Sequence, residues 1–144
     1  MLDADGSMRV PHVNSRPNLS FHQVDVFSSE CTRLIERETR GGSCVLTGVH
    51  LCGSLSPRLI DLGTSLQRCK GFVLCPCCLK GKLGSDCNGK GKVLGGQRSN
   101  YNVLVETMRV EAAKKGGDGR AEVEVRFDLN VMGPKNGFIS AKRI

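Results

Sequence analysis

Tryptophan is absent from this 144-residue chain, tyrosine occurs once, and aromatic residues make up 4% of it. That is thin for a protein that grips single-stranded nucleic acid by stacking bases on aromatic rings. No stretch approaches the roughly 18 consecutive apolar residues of a membrane-spanning helix. The opening segment, MLDADGSMRVPHV, is acidic and has no apolar stretch of the kind that marks an export signal. Without such a signal, the eight cysteines at 31, 44, 52, 69, 75, 77, 78 and 87 are expected as reduced thiols, not as a disulfide framework. The expected location is the cytoplasm, with the nucleus as second choice. Acidic residues are also scarce, 14 against 21 Lys and Arg, so the formal charge is +7. A basic surface attracts polyanions, RNA first among them; a solvated set of Lys-rich loops gives the same count.

What is present alternates. Phe21–Phe27 (FHQVDVF) has the length of a short strand, and Ser28 and Ser29 are good caps for a helix over Glu30–Thr39 that Gly41 and Gly42 stop. Cys44–Val49 (CVLTGV) is an apolar run of strand length, the pattern of a strand covered on both faces. His50-Leu51-Cys52-Gly53 then leads to Ser56, a suitable helix cap, and Pro57, a suitable first helical residue. Leu59, Ile60, Leu62 and Leu66 supply that helix with an apolar stripe. Gly71–Cys75 (GFVLC) is a second covered strand, which Pro76 is expected to end.

Residues 80–98 are rich in Gly and Lys and carry no apolar period, so a long basic loop is expected there. A helix over Asn102–Lys115 follows, with Val103, Val105, Val110 and Ala113 as its partial stripe and Gly116-Gly117 as its stop. Glu122–Phe127 and Phe138–Lys142 alternate as half-buried strands do, and Pro134-Lys135-Asn136-Gly137 between them is a turn signal. Strands alternating with helices predict an α/β fold with a mostly parallel sheet and a C-terminal antiparallel hairpin, in one domain over 1–144. Ligands of such folds bind beyond the carboxyl ends of the strands. Asp25, the His50–Gly53 turn and Pro76-Cys77-Cys78 stand at those ends.

The strings VHLCGSLS and FVLCPCC, with PKNG near the end, resemble one branch of the class I S-adenosylmethionine-dependent methyltransferases. The nearer resemblance is to the methyltransferase-like domain of glutathione S-transferase C-terminal domain-containing proteins. A looser one is to tRNA 2'-O-methyltransferases with an HLCG-type turn. It spans about Leu2 to Arg143. The resemblance implies a Rossmann-like sheet of strand order 3-2-1-4-5-7-6, in which Leu2-Asp3 ends strand 2 and the final hairpin is strands 6 and 7. It implies S-adenosylmethionine as cofactor, with Asp3 on the ribose hydroxyls, Asp25 on the adenine amine, and His50, Leu51, Cys52 and Gly53 beside the methionine part. Pro76, Cys77 and Cys78 follow strand 5 and would shape the catalytic pocket for an O or N methyl acceptor, with RNA as the acceptor class.

The chain departs from that pattern in one respect. The family's first strand and its GxGxG loop do not precede Asp3, and Gly-x-Gly occurs at Gly89–Gly91 in the Lys-rich loop and at Gly117–Gly119 after the last expected helix, neither at a strand-to-helix junction. The expectation is therefore a truncated domain, or one whose missing strand a partner supplies. It would bind cofactor poorly alone and self-associate through an unpaired strand edge. The alternative function is a non-catalytic Rossmann-like module that binds RNA or protein. Lys80, Lys82, Lys90, Lys92 and Arg98 are the candidate phosphate contacts, or else a solvated linker. Cys75 and Cys78 form a C-x-x-C, the spacing of a redox pair. Zinc on Cys75, Cys77, Cys78 and Cys87 is disfavoured because adjacent cysteines chelate poorly. Small thiols packed under the sheet remain the plain alternative.

Overall fold

Local chemistry sets the first elements. The Ser28 hydroxyl accepts the Cys31 N–H at 3.2 Å and caps helix α2, Ser29–Glu38. The face of α2 carrying Cys31, Leu34 and Ile35 is buried. The computed structural model describes residues 1–7, 11–78, 100–117, 121–128, 130 and 136–144. These fall into two compact units, Met1–Gly42 and Ser43–Ile144.

The first unit holds β1 (Leu2–Asp3), the short α1 (Pro11–Asn14), β2 (His22–Gln23) and α2. β1 and β2 pair in parallel, with Leu2 opposite His22 and Asp3 opposite Gln23. The strand expected over Phe21–Phe27 shrinks to two residues. The reason is Asp25, whose carboxylate accepts the Phe27 N–H at 2.9 Å and whose carbonyl accepts the Ser28 N–H at 3.0 Å. Those bonds make a turn and leave the backbone no ladder to join.

The second unit is a four-stranded sheet of order β3-β4-β6-β5, where β3 is Cys44–Cys52, β4 Cys69–Cys78, β5 Ala121–Phe127 and β6 Gly137–Arg143. β3 and β4 are parallel; β6 lies antiparallel between β4 and β5. The architecture is α/β as expected. The sheet is mixed, not mostly parallel, because the closing hairpin inserts its second strand beside β4. Helices α3 (Leu55–Ser65) and α4 (Asn100–Lys115) cover one face. Their Ile60, Leu104, Val105, Met108 and Ala112 form one core with Phe72, Leu74, Ile139 and Ala141. Lys115 joins the helices through Asp61 at 2.5 Å. At this exposure such a pair contributes at most about 1 kcal/mol. Arg143 of β6 donates to the carbonyls of Thr64, Leu66 and Gln67, which caps the end of α3 with a cation.

Several sequence expectations move. β3 does not stop at Val49 but runs on to Cys52 through a bulge at His50. Pro76 lies inside β4 and is paired with Leu51. It is tolerated because β6 pairs with β4 only over Gly71–Leu74, so beyond Leu74 the strand has one neighbour among the described residues. α3 starts at Leu55, ahead of Ser56 and Pro57. On α4 the buried residues are Leu104, Val105, Met108 and Ala112, whereas Val103 and Val110 are exposed. Apolar residues occur around the whole circumference of this helix, so its sequence alone does not choose a face. Gly117, at φ 77°, ends α4 as expected. The basic loop 80–98, with Lys80, Lys82, Lys90, Lys92 and Arg98, lies outside the described residues, as do Cys87, Pro134 and Lys135.

Candidate functional site

The carboxyl end of β3 carries left-handed backbone at two positions. His50 has φ 57° and Gly53 φ 56°. Glycine adopts that region freely, but histidine does so at a cost of about 1–2 kcal/mol. The β3–β4 register shifts on both sides of Leu51, so His50 is a bulged residue. Bulges re-aim side chains and are frequent beside active sites. Below the turn, the buried Ser56 hydroxyl donates to the Leu51 carbonyl at 3.2 Å and ties the strand end to the first turn of α3. This is the role Ser56 takes in place of helix cap. His50 and Cys52 are exposed above it.

β4 brings the cysteine-rich segment alongside. Leu51 is in register with Pro76, and Cys52 with Cys78. The HLCG turn and the PCC segment, 23 or more residues apart in the chain, thus share one end of a two-strand ladder. Cys75 is 1% exposed, which removes the accessible thiol that a redox pair with Cys78 would need. Cys77 is half-buried. Among the described residues no group of three His, Cys, Asp or Glu side chains is placed to hold a metal ion.

Sequence reasoning missed Tyr101. Its hydroxyl accepts the Gly137 N–H at 3.1 Å, donates to the Gly137 carbonyl at 3.4 Å, and lies 3.7 Å from the Cys75 sulfur. One polar group therefore pins the first turn of α4 to the start of β6, next to the cysteine segment. The available signal was its rarity: it is the one tyrosine of the chain. Burial, and then the Cys75 thiol, push its pKa up to about 12 from 10; the Gly137 N–H opposes the shift. The fold favours the neutral phenol, so this contribution to stability is intact below pH 10 and is lost as pH rises toward 12. A near-ultraviolet titration reads this tyrosine alone. The folded protein is expected to ionise near pH 12, and the chain in denaturant near the ordinary value of about 10.

In the first unit, Asp3 is the last residue of β1 and Asp25 lies two residues beyond β2. The Asp3 carboxylate accepts the Asp5 N–H at 2.9 Å, just as Asp25 accepts that of Phe27. Each carboxylate has about four acceptor positions, so one backbone bond leaves it able to take a ligand's hydroxyl or amine. The cofactor candidates thus fall into two groups: Asp3 and Asp25 in the first unit, His50–Gly53 with the cysteine segment in the second. No helix among the described residues is long and apolar enough to cross a membrane. No family model, curated protein or solved structure matches the chain.

Proposed function

We propose that this chain is a methyltransferase-like domain that binds S-adenosylmethionine and serves methyl transfer to an O or N acceptor, with RNA as the acceptor class. The observation that carries the reading is the strand arrangement. The order β3-β4-β6-β5, with one parallel pair followed by a reversed hairpin, has the same order and directions as the 4-5-7-6 portion that the resemblance implies, which supports the reading. The separate parallel pair β1–β2 has the relative direction that strands 2 and 3 would have, which supports the same reading. The bulge at His50 and the left-handed Gly53 support it further, because they lie at the strand ends where this architecture holds ligands.

S-adenosylmethionine supplies an activated methyl group on sulfur, so the protein has to hold and orient more than it has to move protons. Each of the two groups of candidates, taken by itself, offers chemistry of that kind. Asp3 and Asp25 keep acceptor capacity for ribose hydroxyls and the adenine amine. His50 and Cys52 are exposed beside the start of α3, where partial positive charge favours a carboxylate. Pro76 is buried and Cys77 half-buried, so this segment would offer the acceptor small, mostly apolar groups. Lys80, Lys82, Lys90, Lys92 and Arg98 are the cations available to phosphates of RNA.

Calorimetric titration of the folded chain with S-adenosylmethionine tests the reading. Weak but saturable heat is expected, and Asp25→Asn should weaken it about tenfold or more, the effect of losing a charge-assisted hydrogen bond. A folded sample that gives no heat at millimolar cofactor overturns it. The second reading, a non-catalytic module that binds RNA or protein, is favoured by the lack of a GxGxG loop at any strand-to-helix junction of this sequence. Salt-sensitive RNA binding without cofactor heat would select it.

A further inference from the structure

The two edges of the four-stranded sheet are unlike. β5 exposes Glu122, Glu124 and Arg126, the charged side chains that keep strand edges from pairing with one another. β3, at the other edge, is nine residues long and pairs only with β4 among the described residues. It has no Asp, Glu, Lys or Arg and no proline. Val45 and Val49 on it are 60% and 58% exposed, and Thr47 between them is also exposed. A chain of charge +7 repels its copies in general, but this strand brings no charge to the contact.

We infer that β3 is a homodimer edge, pairing antiparallel with β3 of a second copy about a two-fold axis at Thr47. A two-fold contact requires a surface that complements itself. The regular part of β3, before the bulge at His50, meets that requirement when centred on Thr47. Val45 then faces Val49 of the other copy, Thr47 faces Thr47, and Val49 faces Val45. All three stand on the exposed face of the sheet, and pairs of β-branched residues directly opposite one another stabilise antiparallel strands. Centring on Leu46 would instead set each Val45 against a threonine. The backbone N–H and C=O groups along the edge supply the hydrogen bonds. One strand pair buries no more than the low end of specific interfaces, about 1,200 Å², so the dimer is weak, with dissociation in the micromolar range or above. Under the methyl-transfer reading this is the edge beside which the family's first strand would lie, so the two readings meet here; the test below uses no cofactor and therefore fails or succeeds independently of cofactor binding.

Sedimentation velocity over a concentration series tests it, because the register makes a pairwise demand. Val45→Lys should raise the dissociation constant at least tenfold, and Val49→Glu likewise. Both in one chain should restore it to within about threefold, because each position 45 then opposes position 49 of the other copy with opposite charge. Residues four apart on one strand are about 13 Å apart, too far to pair within a copy. Both side chains are exposed in the single copy, so circular dichroism and thermal unfolding should stay unchanged; if one variant misfolds, the other still tests the edge. A dimer indifferent to Val45→Lys overturns the inference, as does a double variant no better than the singles. So does a chain monomeric at every concentration, including one whose β3 amides gain exchange protection only when an extended peptide is added.

Discussion

Replacing Phe72 with alanine should remove about 3–5 kcal/mol of stability, the range for truncating a fully buried aromatic ring. Against the total of about 5–15 kcal/mol typical of a domain, that leaves the sheet unit marginal. Phe72 is 2% exposed and is among the largest buried side chains of the chain. It stands on β4, between α3 and the residues of β6, so its ring touches both layers that make the core. A cavity of about 20 Å³ already borders it, lined by Gly63, Gly116 and Ala141 among others. Glycine and alanine offer little side chain with which to collapse, so the void left by the ring would persist. Urea denaturation followed by circular dichroism measures the loss. A change below about 1 kcal/mol would be incompatible with this core.

The same ring explains Gly63 of α3. A Cβ at position 63 would lie 2.3 Å from Phe72 Cδ1. Helix propensity alone would reward Gly63→Ala by about 1 kcal/mol, but the overlap costs about 1–3 kcal/mol, so the single change should be destabilising. With Phe72→Ala present the obstruction is gone, and the added methyl partly fills the void. The double variant should therefore lose less than the sum of the singles, by about 0.5–3 kcal/mol.

Such packing is where the sequence was least informative. The strands β3, β4, β5 and β6 and the stripe of α3 were legible because their apolar periods are local. The α4 face was not, since apolar residues surround that helix and only the sheet chooses Leu104 and Met108 over Val103 and Val110. At the candidate site the HLCG turn was legible from its glycine and the Ser-Pro that follows. Its bulge was not, because a register shift belongs to a pair of strands. Pro76 misled for a related reason: whether proline ends a strand depends on how far the neighbouring strand reaches. Tyr101 went unnoticed because its partners, Cys75 and Gly137, are 26 and 36 residues away. Asp25 was read as a ligand residue, and its visible work is to form the turn before α2.

Gly71→Ala should damage the fold as severely as a change of one methyl group can. The glycine is not there for its conformational freedom; among the described residues the positive-φ glycines are Gly53 and Gly117. It is there because β6 passes over it: a Cβ at position 71 would lie 2.3 Å from the Ala141 carbonyl oxygen, and 3.3 Å from Ala141 C and Lys142 Cα. At Gly63 the obstacle is a side chain that can turn. At Gly71 it is the backbone of the neighbouring strand, held by the ladder from Gly71–Lys142 to Leu74–Ile139. Relief therefore requires β6 to move away from β4, which opens the hydrogen bonds of the central pair and draws Ile139 and Ala141 from the core. The expected loss is about 3 kcal/mol or more, at or beyond the upper end for overpacking. Faster amide exchange along β6 should accompany it. Gly41→Ala is the control: nothing lies within 4 Å of a Cβ there, and the change should stay within about 0.5 kcal/mol. If Gly71→Ala matched that control, β6 could not lie where it is placed beside β4.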